Sequence, residues 1–138
     1  LMEATMPKFV LIGLCEPVAD EHQAAFDEWF IDQHIEDTAN CPNFIRGTVF
    51  KLAGPHLNLE TRSAYLSLYE VEAPTYLEAE EVLNEWQADP NAWDGRKRHL
   101  QTREKFGDIP MKIKGAGWYE ELKSFEGPAA HPEGESKV

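Results

Sequence analysis

The chain has 138 residues with 25 Asp and Glu against 13 Lys and Arg, a formal net charge of −12. Proteins that bind nucleic acid or anionic membranes do so through clustered Lys and Arg, and the sequence has one short basic cluster, at 96–98. We therefore expect the protein to bind neither nucleic acid nor a membrane. The length fits one domain, and a hydrophobic fraction of 42% fits a folded core.

The two cysteines, Cys15 and Cys41, are too few for a disulfide framework or a four-ligand zinc site. No ligand spacing supports another metal, so we expect neither a metal nor a cofactor. No apolar run approaches the ~20 residues that span a bilayer, and the first residues lack the apolar block of a secretory signal. We expect a cytoplasmic protein in which residues 1–7 are an N-terminal extension or an expression scar.

The first half of the chain predicts a strand, a helix and two further strands. The run from Lys8 to Glu16 is continuously apolar, as in a strand buried on both faces. Residues 21–38 contain no Gly or Pro and predict a helix of about five turns. Strand-like runs follow at 44–52 and 62–72, separated by a loop that contains Gly54 and Pro55.

The second half predicts a helix, a strand and a tail. Pro74 opens a helix that ends before Asp89 and Pro90, and residues 111–122 predict the last strand. Between them, a short helix at 96–106 is a further prediction. The domain is thus expected at 8–122. Residues 123–138 are rich in Gly, Pro, Glu and Ser, so we expect a flexible tail that is disordered or lies on a partner.

This order predicts an α+β fold, a ferredoxin-like β-α-β-β-α-β sandwich whose antiparallel four-stranded sheet carries both helices on one face. In the first strand, Leu11 points to one face and Ile12 to the other, and both faces are apolar. Since the helices cover one face, we expect a second copy to cover the other and form a homodimer, sheet to sheet. Covering by residues 91–110 and the tail is the alternative.

The first predicted helix begins aromatic and ends polar on one side. At about 100° per residue, four side chains lie within about 60° of Phe26, and His34 flanks them. These four are Trp29, Phe30, Gln33 and Asp37. The polar end either emerges into solvent or forms the polar floor of an apolar pocket. His34 and Asp37, three positions apart, suit a general base and the carboxylate that orients it.

The same helix resembles the signature of the dimeric α+β barrel superfamily, closest to its EthD-like branch, F-x-x-W-Y-x-x-x-H followed by P-G-F. The match covers Phe26, Trp29, Phe30 in place of Tyr, His34, Pro42, Asn43 in place of Gly, and Phe44. The resemblance spans roughly residues 8–120. It implies a sheet-to-sheet dimer with a ligand cavity in each subunit, and places His34 at a histidine that is often functional. Relatives include cofactor-free monooxygenases, polyketide cyclases, isomerases, dehydratases and some haem enzymes.

For each of the other candidate residues, a purely structural role is the alternative to a functional one. Tyr65 and Tyr69 share one strand face with Ser67, and that hydroxyl face either lines the cavity or forms an aromatic dimer seam. Arg46 either binds an anionic substrate or forms a surface salt bridge. His99 either closes over the cavity within a cationic lid or lies on a solvated helix face.

The function predicted from these residues is a small cofactor-independent lyase, isomerase or cyclase that abstracts a proton from an aromatic or polyketide-like metabolite. His34 is the base, Asp37 orients it, and Tyr65 or Tyr69 stabilises the developing oxyanion. The substrate-binding candidates are Trp29, Phe30, Gln33, Arg46, His99 and Trp118. The alternatives are a cofactor-free monooxygenase of a phenolic or quinol substrate and a non-catalytic dimeric metabolite-binding protein.

Overall fold

The structure, a computed structural model, describes residues 6–54, 64–92 and 111–130. One sheet holds four strands in the order β2-β3-β1-β4, and every neighbouring pair is antiparallel. The strands are β1 (Lys8–Pro17), β2 (Phe44–Lys51), β3 (Tyr65–Glu72) and β4 (Met111–Glu120). The predicted ferredoxin-like α+β fold is confirmed. The predicted short helix at 96–106 lies outside the described residues.

Two helical regions cross the sheet. The first region opens with a 3-10 turn, Asp20–His22, and continues as α1 (Gln23–Trp29), a π-helical turn (Phe30–His34) and α2 (Ile35–Ala39). The second is α3 (Tyr76–Ala88), whose first turn is capped because the Thr75 hydroxyl accepts a hydrogen bond from the Glu78 N–H at 3.1 Å. The prediction of one uninterrupted α-helix over 21–38 is wrong at the π-turn.

Both helical regions pack on the same face of the sheet. One cluster of the core joins Phe26 and Phe30 of the first helical region to Tyr65 of β3. A second cluster joins Val71 of β3 to Ala79 of α3. Alternate residues of β3 are buried under these helices, as a strand with one covered face requires.

The opposite face of the sheet, here called the distal face, has no covering element among residues 6–54, 64–92 and 111–130. Its centre is aliphatic, and Phe50 and Tyr119 on its outer strands are 49% and 62% exposed. The distal-face side chains include Val10, Ile12, Leu14, Thr48, Phe50, Leu66, Leu68 and Tyr119. Apolar side chains thus line both faces of β1, as its sequence predicts.

Residues 121–130 follow β4 and are exposed throughout, including Leu122 at 91% and Phe125 at 86%. They end in a 3-10 turn, Pro128–Ala130. None of the described helices is long and apolar enough to cross a membrane.

Candidate functional site

The π-turn is the local feature that shapes the candidate site. The Ile35 N–H donates to the Phe30 carbonyl, five residues earlier, in place of the usual four. Such a turn holds one extra residue, and π-turns inside α-helices are frequent at functional sites. Each residue after the turn therefore points roughly where an uninterrupted α-helix would place the residue before it.

This shift exchanges the side chains that face the sheet. An uninterrupted helix directs Gln33 and Asp37 to the centre of the apolar stripe. In the structure His34 and Thr38 take that place and line a cavity, whereas Gln33 and Asp37 are not among its lining residues. The two displaced residues are nevertheless buried, with 6% and 2% exposure, so the polar end of the helix does not emerge into solvent.

The cavity lies between the sheet and both helical regions and has a volume of about 300 Å³. Its walls are mostly apolar, and the residues that line it come from β1, β3, β4 and both helical regions. They include Leu11, Gly13, Cys15, Trp29, Phe30, His34, Thr38, Ser67, Tyr69, Leu83, Gln87, Met111, Ile113 and Ala116. An apolar cavity with a few convergent polar groups is the usual form of a small-molecule site.

His34 is held in this wall by aromatic rings. Its imidazole stacks on the Trp29 indole with ring centroids 4.4 Å apart and planes inclined by 25°. It also lies nearly parallel to the Phe30 ring, at 6.0 Å and 22°. Since Trp29 and Phe30 are themselves buried, with 5% and 2% exposure, they fix the imidazole at the cavity wall.

Tyr69 supplies a phenol on the sheet side of the cavity. Burial raises the pKa of this phenol above its ordinary value of 10.0, and the nearby Cys15 and Asp37 raise the pKa further. The hydroxyls of Thr38 and Ser67 lie near enough to offset part of this rise. Neither forms a hydrogen bond of standard geometry, so the buried Tyr69 oxygen has no hydrogen-bond partner among the described residues. The phenol keeps its proton at neutral pH.

Cys15 also lines the cavity, opposite Tyr65 in the β1–β3 register. Burial, with a smaller contribution from the Glu16 carboxylate, raises the pKa of its thiol to about 12. A thiol that stays protonated at neutral pH is a poor nucleophile, so Cys15 is a wall residue rather than a reactive one.

Three of the predicted catalytic or binding residues lie away from the cavity. Tyr65 packs on Phe26, and its hydroxyl accepts a hydrogen bond from Gln23 Nε2 at 2.9 Å. Asp37 is buried on the side of α3, where its carbonyl accepts a hydrogen bond from Trp86 Nε1 at 3.2 Å. The shift at the π-turn accounts for the displacement of Asp37 and of Gln33.

Two further candidates are also placed elsewhere. Arg46 lies in the β2–β3 ladder beside Glu70, with which it forms an ion pair at 3.5 Å, so the salt-bridge alternative describes it. Trp118 packs edge-on against Phe44 at 6.4 Å in the second core cluster. His99 lies outside the described residues. The structure therefore brings together His34, Tyr69, Trp29 and Phe30 of the predicted set.

Three polar lining residues were not among the predicted site residues. Thr38 is hidden from a sequence argument because only the π-turn directs it to the cavity. The sequence places Ser67 on the hydroxyl face of β3, between the two tyrosines, but gives it no role of its own. Gln87 lies in the last turn of α3, and nothing in the sequence marks it.

Metal ligation has no support in the described part of the chain, where no group of three or more His, Cys, Asp and Glu side chains could hold an ion. No protein-family model matches the chain, and no curated protein matches it. Among solved structures, it is similar to the crystal structure of an ethyl tert-butyl ether D (EthD) family protein from Bacillus halodurans C-125. The identity is 16% over 85% of this chain and 100% of that chain, with a TM-score of 0.44.

Proposed function

We propose that the chain is a small cofactor-independent enzyme, a lyase, isomerase or cyclase, that removes a proton next to a carbonyl group of an aromatic or polyketide-like metabolite. The observation that carries this proposal is that a base, His34, and a neutral hydrogen-bond donor, Tyr69, line the same apolar cavity. A base and an oxyanion donor around one substrate are the two groups that enolisation requires.

In the proposed step, the neutral His34 imidazole takes the proton from the carbon next to the carbonyl. The electron pair of that C–H bond moves to form the enolate, and negative charge develops on the carbonyl oxygen. The Tyr69 O–H donates to this oxygen, where a positioned donor in a water-poor site is worth several kcal/mol, about 3 in typical cases. Trp29 and Phe30 hold the substrate ring against the imidazole.

Asp37 is proposed to orient the His34 imidazole and not to contact the substrate. It lies about one helical turn after His34 and is buried, with 2% exposure. An Asp37→Asn variant should lower kcat while leaving KM nearly unchanged, because it alters the imidazole and not the binding walls.

The test uses 2-tetralone, a bicyclic ketone with an acidic C–H beside its carbonyl, in D₂O. We expect the protein to catalyse exchange of that proton for deuterium, measured by NMR, and His34→Gln to slow the catalysed exchange by roughly 10² to 10⁴. A rate of deuterium exchange in His34→Gln equal to that of the wild type would contradict the proposal. Oxygen uptake during the reaction would favour the monooxygenase alternative, and saturable binding without exchange would favour a binding protein.

We also propose that the active assembly is a homodimer in which two distal faces pack together. An exposed aliphatic sheet face of this kind is unfavourable in water, and a two-fold axis lets the same patch cover itself. The flanking ion pairs Arg46–Glu70 and Lys114–Glu16, at 3.5 and 3.6 Å, leave the centre of the face uncharged.

Light scattering after size-exclusion chromatography tests the dimer with a matched pair of variants. Leu68→Arg places a charge at the centre of the distal face and should give monomers. Leu77→Arg places the same charge on α3, where Leu77 is 60% exposed, and should leave the dimer intact. A wild-type mass equal to one chain would contradict the dimer.

A further inference from the structure

Three residues with hydroxyl groups line the cavity, and those of Thr38 and Ser67 lie near the Tyr69 phenol. Thr38 comes from α2, and Ser67 and Tyr69 come from β3. All three line the cavity and are almost completely buried, with 3%, 5% and 3% exposure respectively. Buried hydroxyls ordinarily have at least one hydrogen-bond partner inside the protein. A cluster of them on the wall of a cavity therefore suggests that they bind something within it.

The Tyr69 oxygen identifies what the cluster lacks. It has no hydrogen-bond partner within the described ranges. Leaving a buried polar group in this state is unfavourable, and a bound oxygen atom would remove that penalty. Because the phenol is protonated at neutral pH, it offers an O–H donor. Its missing partner is therefore a hydrogen-bond acceptor.

Two glycines on the neighbouring strands make room for the cluster. Gly13 of β1 lies opposite Ser67, and a Cβ atom there would be 2.9 Å from Ser67 Oγ. Gly47 of β2 lies opposite Tyr69, and a Cβ atom there would be 3.0 Å from the ring carbons Cδ1 and Cε1. A Cβ atom at Gly13 would be closer than real Cβ atoms come, and one at Gly47 would be tighter than most real contacts, so a larger residue at either position would require Ser67 or the Tyr69 ring to shift.

The charge of the walls restricts the ligand. None of the lining residues within the described ranges is Lys, Arg, Asp or Glu. His34 is the one lining residue in those ranges that can become positively charged, and it has to be neutral to act as the proposed base. A carboxylate or phosphate would therefore lose its water shell here without a fixed positive charge to replace it, whereas a carbonyl or phenol oxygen needs only hydrogen bonds. The apolar remainder of the cavity, with Trp29 and Phe30, suits the ring that carries such an oxygen.

We propose that Thr38, Ser67 and Tyr69 form a subsite for one uncharged carbonyl or phenol oxygen on a flat ring, and that this subsite selects such ligands over carboxylates of the same size. This inference rests on the cavity of the proposed function and names its substrate class. It does not depend on proton abstraction.

Calorimetry with three matched probes tests the subsite: 2-tetralone, its deoxygenated analogue tetralin, and the carboxylate 1,2,3,4-tetrahydro-2-naphthoate. We expect the wild type to bind 2-tetralone about tenfold more tightly than tetralin, as one hydrogen bond to a previously unpaired donor would give. The carboxylate should bind more weakly than 2-tetralone. In Tyr69→Phe the preference for 2-tetralone over tetralin should fall to within about threefold, with tetralin affinity unchanged.

Tyr65→Phe is the control, because it removes a phenol oxygen that lies outside the cavity, and it should retain the full preference. Thermal unfolding gives a second readout. Removal of an unpaired buried hydroxyl should leave the melting temperature of Tyr69→Phe equal to or above that of the wild type. If the Tyr69 hydroxyl instead stabilised the fold through a hydrogen bond, its removal would lower the melting temperature.

The proposal is overturned if Tyr69→Phe keeps the tenfold preference, if the carboxylate binds most tightly, or if the wild type binds 2-tetralone no better than tetralin. Absence of binding by all three probes also counts against it. Failure of the proposed function has a different signature: the oxygen preference persists, but His34→Gln exchanges deuterium as fast as the wild type.

Discussion

The imidazole of His34 stacks on the indole of Trp29 at a centroid distance of 4.4 Å, although five positions separate the two residues along the first helical region. In an uninterrupted α-helix, residues five apart point about 140° away from each other, too far to stack. The contact therefore depends on the π-turn at Phe30–His34. One extra residue in the helix brings the base into contact with the aromatic wall.

If the π-turn is a one-residue insertion, removing one of its exposed residues should give a regular α-helix with the same faces. We expect deletion of Asp32 to change the free energy of unfolding by less than about 1 kcal/mol relative to Asp32→Ala, which controls for the lost side chain. Insertion of Ala after Asp32 should rotate α2 by about a further 100° and cost more than 3 kcal/mol. Denaturant titration measures both, and equal damage from deletion and insertion would contradict the insertion model.

The fold could be predicted from the sequence because its signals are strong and local. β1 is apolar on both faces, and the helices have clear start and stop residues such as Pro74 and Pro90. The two-sided apolar pattern of β1 also predicts that the helices leave one sheet face uncovered. These features depend on which residues are buried, and the spacing of apolar residues in the sequence indicates that directly.

The candidate site could be predicted only in part. The π-turn contains no Gly or Pro, so nothing in its local sequence marks the change of hydrogen-bond register. An α-helical wheel consequently selects Asp37 for the pocket and overlooks Thr38. The period-two pattern of β3 finds Tyr69, but the pattern cannot separate it from Tyr65, which lies on the same face beneath a different part of the helix.

The space beside Tyr69 gives a second prediction, about Gly47. In Gly47→Ala the new methyl group meets the Tyr69 ring at 3.0 Å and Ile35 Cδ1 at 3.1 Å, and both neighbours belong to the core. Overpacking of this kind costs about 1 to 3 kcal/mol. Gly54→Ala is the matched control, since nothing lies within 4 Å of its added Cβ. Equal stability of the two variants in denaturant titration would show that Tyr69 moves freely.

A third prediction concerns the ionisation of the tyrosines. Burial raises the pKa of the Tyr69 phenol, so this side chain should keep its proton until the protein unfolds. Ultraviolet titration below the unfolding pH should therefore show the same phenolate amplitude in Tyr69→Phe as in the wild type. A loss in Tyr69→Phe would mean that its phenol ionises in the folded protein.

The buried thiols give the last prediction, a loss of stability in alkali. Burial first, and then the nearby Glu16 or Asp37 carboxylate, raises the pKa of Cys15 and of Cys41 from 9.0 to about 12 in each case. Below pH 9 both thiols are protonated in the folded and in the unfolded chain, so their contribution to stability is fully present. Between pH 9 and about 12 the unfolded chain releases protons that the folded protein retains, and the free energy of unfolding falls as the pH rises. In Cys15→Ala and Cys41→Ala this fall should be shallower than in the wild type, even if the lost packing shifts each curve by a constant amount. Denaturant titrations at several pH values from 8 to 11 measure the slopes, and curves that run parallel to that of the wild type would show that these thiols ionise alike in both states.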